Sequence, residues 1–248
     1  MIETRRLKKS FGPQRVLDGV DLRVEKGESV VIIGRSGGGK SILLKHLIGL
    51  LSPDEGDVLI EGESVAWMNE RQLLGVRRKF GMLFQGAALF DSLTVAENVA
   101  FVLQREGRLT ESEIGKKVDE ALAMVDLGGT QDKKPAELSG GMRKRVGLAR
   151  AIIYQPQIVL YDEPTTGLDP IVADSIDQLI VRIRERLEVT TVAVTHDMRS
   201  ARRIGQRILM LHQGRIHFSG TPEEILQTQD PVVYRFVNGV SDPKESHF

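Results

Sequence analysis

The sequence predicts an α/β fold built around a largely parallel sheet, and three observations carry that expectation. Short β-type runs alternate with longer helical patterns along much of the chain. The run Ser29–Ile33 (SVVII) is of the fully buried strand type, and it leads directly into a glycine cluster, Gly34–Gly39. A helical pattern follows, from Lys40 to about Leu50, with Ile42, Leu43, Leu47 and Leu50 at helical spacing.

The remaining elements follow in order. Ser52–Gly56 (SPDEG) is turn chemistry, followed by a strand over Asp57–Ile60, and Phe80–Phe84 (FGMLF) is a further apolar strand ending at Gln85-Gly86. The middle of the chain changes character. Thr94-Val-Ala-Glu97 and Thr110-Glu-Ser-Glu113 are capping boxes that predict helix starts. Strand signals are few between Gly86 and Tyr154, so this stretch is expected to be an inserted helical subdomain. The α/β alternation then resumes with strand Ile158–Tyr161, helix Pro170–Leu187, strand Thr190–Val194, helix Met198–Ile204 and strand Arg207–Leu211. Thr221-Pro222-Glu223-Glu224 supplies N-cap, N1 proline and N3 glutamate for a last helix. After about Asp230 the pattern is a polar tail with Val232, Val233, Phe236 and Val237 as apolar anchors. The expected organisation is a core of residues 1–86 and 155–220, a helical subdomain over 87–154 and a C-terminal helix and tail over 221–248.

Composition narrows the function. Among 248 residues, 34 basic and 34 acidic side chains leave a formal net charge of zero, which removes bulk electrostatics as an argument for nucleic-acid binding. With no cysteine, disulfide scaffolds, Cys-ligated zinc, iron–sulfur clusters and thiol catalysis are excluded. The opening MIETRRLKKS has no apolar core of a signal peptide, and no apolar run approaches the ~18 residues a membrane span needs. Any membrane role is therefore expected to come through a partner.

Three motifs carry chemistry. Gly34-Arg35-Ser36-Gly37-Gly38-Gly39-Lys40-Ser41 satisfies G-x-x-x-x-G-K-[ST] between a buried-type strand and a helix. Glycines let the backbone curl so that successive N–H groups face phosphate oxygens, and the following helix adds its positive N-terminal end. Lys40 would reach the β- and γ-phosphates and the Ser41 hydroxyl would ligate Mg²⁺. Second, the apolar strand Ile158–Tyr161 ends in Asp162-Glu163. Asp162 is suited to a metal's coordination shell, and Glu163, one residue on, to taking a proton from an attacking water. Third, Leu138-Ser139-Gly140-Gly141-Met142 reads as a helix N-terminus with exposed N–H groups and a Ser hydroxyl, a second phosphate-binding surface. The basic run Arg143-Lys144-Arg145 behind it reads as a solvated helix face, with Arg143 the best placed to approach phosphate.

With these residues in hand, the chain resembles the nucleotide-binding subunit of ABC transporters over about residues 2–220. LSGGM matches the family's signature loop, usually LSGGQ. The other motifs fall in the family's order: Phe11 as the A-loop aromatic, Gln85 as the Q-loop residue, Asp162-Glu163 closing Walker B, Gly167-Leu168-Asp169-Pro170 as the D-loop, and His196 as the switch histidine. The resemblance implies a P-loop NTPase core with an N-terminal antiparallel β part and the inserted helical subdomain. It also implies ATP and Mg²⁺, the latter held by Ser41, Gln85 and Asp162. Two chains, identical or closely related, would sandwich two ATP molecules, Ser139, Gly140, Gly141 and Asp169 of one acting on nucleotide held by the other. Glu163, His196 and Gln85 would be the catalytic residues, and Phe11, when not simply a core aromatic, would stack on adenine.

The stretch Met82–Val99, the LSGGM variant and the segment Asp230–Gly239 are similar to the Mla/Mce-type phospholipid-transport ATPases. That likeness implies an integral-membrane permease docked beside the Q-loop against Leu89, Phe90 and Leu93. It also implies a Mce-type lipid-binding protein, a hydrophobic cargo, a position on the cytoplasmic face of an inner membrane, and no nucleic-acid partner. An ATPase for polar-solute import shares every catalytic residue and stays open as an alternative. An ABC ATPase acting on ribosomes or DNA is a further one.

Overall fold

The computed structural model describes residues 1–241; the end of the expected tail, residues 242–248, lies outside the described residues. The chain opens with strands β1 (Ile2–Phe11), β2 (Gln14–Val24) and β3 (Ser29–Ile33), then helix α1 (Lys40–Leu47), strands β4 (Glu55–Ile60) and β5 (Glu63–Ser64), and helix α2 (Glu70–Arg77). Strand β6 (Phe80–Leu83) leads to helices α3 (Val95–Glu106), α4 (Glu111–Met124) and α5 (Gly140–Ile152), strand β7 (Ile158–Asp162) and helix α6 (Pro170–Leu187). Last come β8 (Thr190–Thr195), α7 (Met198–Ile204), β9 (Arg207–His212), β10 (Arg215–Gly220), α8 (Pro222–Gln227) and α9 (Pro231–Asn238). Two compact units are present, Met1–Leu74 with the chain from Ala193 onward, and Gly75–Val192.

In the first unit an antiparallel sheet runs in the order β2-β1-β4-β5, the N-terminal antiparallel part that the family resemblance implied. Beside it in the chain, β3 pairs in parallel with β9, Val30 opposite Arg207 and Ile33 opposite Met210, and β10 returns antiparallel to β9. All five residues of β3 are buried, as its unbroken apolar run requires. Helix α1 stops at Leu47 rather than Leu50. Gly49 adopts a left-handed φ of 64°, and the Leu50 amide donates back to the Lys45 carbonyl at 2.8 Å, which closes the helix end.

In the second unit β6 and β7 pair in parallel, Phe80 opposite Ile158 and Leu83 opposite Tyr161. The helical stretch starts as its caps dictate. Thr94 and Thr110 each accept from the amide three residues on, while Glu97 and Glu113 reach back to the cap amide. Val95, Val99, Leu103, Ile114, Val118 and Leu122 are the buried faces of α3 and α4. Burying each such side chain is worth about 1.5–3 kcal/mol. Asp169 and Pro170 start α6 as N-cap and N1.

One expectation is corrected. The stretch after Asp230 is not a polar tail but helix α9. Asp230 caps it by accepting from the Val232 and Val233 amides at 2.9 and 3.0 Å, Pro231 sits at N1, and Gly239 closes it in the left-handed conformation. Those start and stop signals outweigh the polar flanks. Of the expected anchors only Val233 is fully buried; Val232, Phe236 and Val237 are half-buried.

Candidate functional site

In the first unit the glycine-rich loop joins β3 to α1. Gly39 is the N-cap of α1 at φ 95°, a left-handed conformation that favours glycine, and no side chain caps the helix. The helix's positive end therefore lies at the glycine-rich loop. At Gly34 a side chain is impossible: an added Cβ would lie 2.4 Å from the Leu211 carbonyl oxygen. Lys40 is 5% exposed, and its Nζ donates to the carbonyls of Gly34 at 2.8 Å and Arg35 at 3.1 Å. The loop is thus curled around the ammonium group that phosphate chemistry requires. Ser41, next along α1, is half-buried.

His196 is exposed directly after β8, and with Arg35 and Ser36 it lines one cleft of about 700 Å³. His212, Arg235 and Phe236 line the same cleft, so α9 forms part of its wall. Burial holds the His212 imidazole below its usual pKa, with His217 and Arg35 adding to the effect. His217 Nε2 lies 3.1 Å from both carboxylate oxygens of Asp230, which ties the start of α9 to β10. Phe11 is 45% exposed, with Lys9 Nζ 5.8 Å from its ring centroid. It is therefore not a core aromatic.

In the second unit all of β7 is buried, and the strand delivers Asp162 and Glu163 at its C-terminal end, each 7% exposed. Glu163 has φ 49°, an uncommon conformation for a residue with a side chain, and its Oε2 accepts from the Thr166 hydroxyl at 3.0 Å. Ser139 is exposed and caps α5, accepting from the Met142 amide at 3.3 Å. An added Cβ at Gly140 would meet Leu168 at 3.2 Å, and one at Gly141 would meet Val172 at 2.5 Å, so the signature glycines sit against the segment holding Asp169. Asp169 itself accepts from the Ile171 and Val172 amides at 3.0 and 3.1 Å. The Gln85 side chain is exposed. Ser41 in the first unit offers a hydroxyl, and Gln85 and Asp162 in the second offer an amide and a carboxylate, each a hard oxygen donor of the kind Mg²⁺ takes.

The basic run is corrected. Of the three only Arg143 is exposed, and its guanidinium donates to the Leu138 carbonyl at 2.6 Å. Arg145 pairs with Asp126 at 2.8 Å. Lys144 is buried, donating to the carbonyls of Gln85 and, at 3.1 Å, Glu163. Burial lowers the Lys144 pKa, while the charges of Asp162 and Glu163 oppose that shift. Asn98 belongs to no motif in the sequence, yet it organises this region. It is buried, accepts from the Phe90 amide at 2.8 Å and donates to the carbonyls of Phe90, Leu93 and Thr94, so it fixes the segment after Gln85. Leu89 and Leu93 are half-buried and Phe90 is exposed, its ring 4.6 Å from that of Phe101.

Residues 17–166, more than half of the chain, match the family model described as ABC transporter. The probable ribonucleotide transport ATP-binding protein mkl of Mycobacterium tuberculosis is 44% identical over 238 residues, 96% of this chain and 66% of that protein. The chain thus spans just under two thirds of that relative's length. The intermembrane phospholipid transport system ATP-binding protein MlaF of Haemophilus influenzae is 38% identical over 242 residues, covering 98% of this chain and 92% of that one. A dimeric ATP-binding cassette solved in a post-hydrolysis state with ADP and Pi aligns with a TM-score of 0.82 at 35% identity, covering 90% of this chain and 99% of that chain.

Proposed function

The chain belongs to the ABC transporter family, whose ATP-hydrolysing domain it carries, and from that premise we propose that it powers the movement of phospholipid or another hydrophobic compound between two membranes. In this reading the loop amides of residues 34–41 and the Lys40 ammonium hold the β- and γ-phosphates of ATP, while Phe11 stacks on the adenine. Bound Mg²⁺, held by Ser41, Asp162 and Gln85, would neutralise charge on the phosphate oxygens. Glu163 takes the proton of the attacking water as its oxygen bonds to the γ-phosphorus and the bond to ADP breaks. His196 steadies the γ-phosphate. Ser139, Gly140, Gly141 and Asp169 complete the site of a second copy or a close homologue, so ATP also joins the two chains.

The observation that carries the cargo assignment is the match to MlaF, the ATP-binding protein of an intermembrane phospholipid transport system, along nearly the whole of both chains. By analogy, membrane permease subunits dock beside Gln85 on the surface that includes Phe90, a Mce-type lipid-binding protein completes the system, and the chain sits on the cytoplasmic face of the inner membrane. A second reading, a polar-solute transporter, is favoured by the ribonucleotide transport named for mkl. Affinity purification of the full chain from a mild-detergent extract of its host, with mass spectrometry of what accompanies it, separates the two. The expected companions are a polytopic permease and a Mce-type lipid-binding protein. A permease with a solute-binding protein would move the cargo to polar molecules, and recovery without any permease would overturn the transport reading.

A further inference from the structure

Helix α5 begins at the signature glycines and then grips two segments that its own sequence gives no hint of. Lys144, one turn in from Gly140 and Gly141, is 5% exposed and donates from Nζ to the Gln85 carbonyl and, at 3.1 Å, to the Glu163 carbonyl. Two turns further along, Arg150 donates to the carbonyls of Ala87 and Ala88, the latter at 2.7 Å. Between them Gly147 lets the helix lie directly on the same segment: an added Cβ would be 2.7 Å from Leu83 and 3.2 Å from Ala87. These three residues recur at intervals of three, on one side of the helix.

The carbonyls chosen matter. Ala87, Ala88 and Glu163 all have positive φ, at 60°, 47° and 49°. Such conformations are unfavourable for residues with a Cβ and persist only where neighbouring contacts hold them. A buried ammonium group is itself costly unless its donors are used. Lys144 has three N–H donors, of which the two carbonyls take two, and Asp162 and Glu163 supply opposing charge. Arg150 thus holds the strained Ala87 and Ala88, while Lys144 Nζ holds the strained Glu163 and, through Gln85, the start of the same loop.

We infer that Lys144 is a positioning residue: by donating to the carbonyls of Gln85 and Glu163 it locks the Q-loop and the proposed general base to the helix opened by the signature motif, so that the three move together. This rests on the reading of Glu163 as the base that activates water. A shift of α5 when its N-terminal end meets nucleotide would then be felt at both carbonyls through one side chain, without Lys144 touching substrate.

The test compares the native full chain with Lys144→Met, which removes every donor at similar length, and Lys144→Gln, which keeps an N–H₂ but no charge. Lys144→Met is expected to lower kcat by about 100-fold, the scale of a catalytic group displaced by about 1 Å. Its affinity for a fluorescent ATP analogue should stay within about twofold, the signature of a loss confined to the transition state. Lys144→Gln is expected to recover kcat to within about fivefold of native, because donation rather than charge is what holds the two carbonyls. Amide hydrogen exchange, read without nucleotide, should speed up together over residues 84–90 and 161–168 in Lys144→Met and not in Lys144→Gln. Native kcat and exchange in Lys144→Met would overturn the proposal. So would a loss of nucleotide binding in proportion to kcat, or a Gln variant as impaired as the Met one. Failure of the ATPase reading is distinct: the native chain would then not hydrolyse ATP, while the paired exchange response would still stand or fall on its own.

Discussion

Glu163→Gln binds ATP and fails to turn it over, and it accumulates as a nucleotide-loaded dimer: that is the expected result for the residue that closes β7. The exchange of carboxylate for amide leaves an oxygen that can still accept from the Thr166 hydroxyl, so the local geometry at the end of the strand is kept. What is lost is the proton acceptor. General-base catalysis is worth about 10²–10⁴-fold, so kcat should fall by about that factor while nucleotide affinity is retained. If ATP joins two chains and hydrolysis separates them, blocking hydrolysis traps the joined state. Size-exclusion chromatography with and without ATP reads this directly. A variant that stays monomeric in ATP, or that hydrolyses at the native rate, would remove Glu163 from the role of base.

The second large effect is expected at Lys40. Lys40→Ala removes the group that meets the β- and γ-phosphates and also the donor that holds the carbonyls of Gly34 and Arg35 in the curled loop. Truncating one partner of a buried charged contact costs about 2–5 kcal/mol, roughly 30-fold to several-thousand-fold in ATP affinity. Thermal melting supplies the measurement, since a ligand bound only by the folded chain raises the melting temperature. Native chain should melt higher in saturating ATP and Lys40→Ala should not. An equal ATP-induced shift in the variant would contradict the P-loop assignment.

Much of this was legible in the sequence wherever the signal is local. The run Ser29–Ile33, the glycines after it and the helix from Lys40 form one continuous strand–loop–helix, and the structure reproduces it. Thr94, Thr110, Asp169 and Thr221 each start a helix with residues at most three positions away, so their caps could be read directly. The start of α9 was equally local, Asp230 before Pro231, but the polar residues around it hid a single-turn core contact at Val233. Long-range features were not legible. Lys144 meets Gln85 across 59 positions of sequence, and nothing in Arg143-Lys144-Arg145 tells which of three cations points inward. Asn98 likewise reads as an ordinary helix residue until its side chain is seen to collect the carbonyls of Phe90, Leu93 and Thr94. The antiparallel pairing of β1 with β4 joins segments about fifty residues apart and was expected only from the family resemblance.

If a second chain finishes the ATPase site, turnover must depend on how many chains are paired. Phosphate release from ATP, measured against the concentration of the purified chain, reads that dependence. Completion by a second chain predicts a specific activity that rises with concentration and levels off as the ATP-joined dimer fills. A specific activity independent of concentration, from a chain that remains monomeric by light scattering, would contradict it.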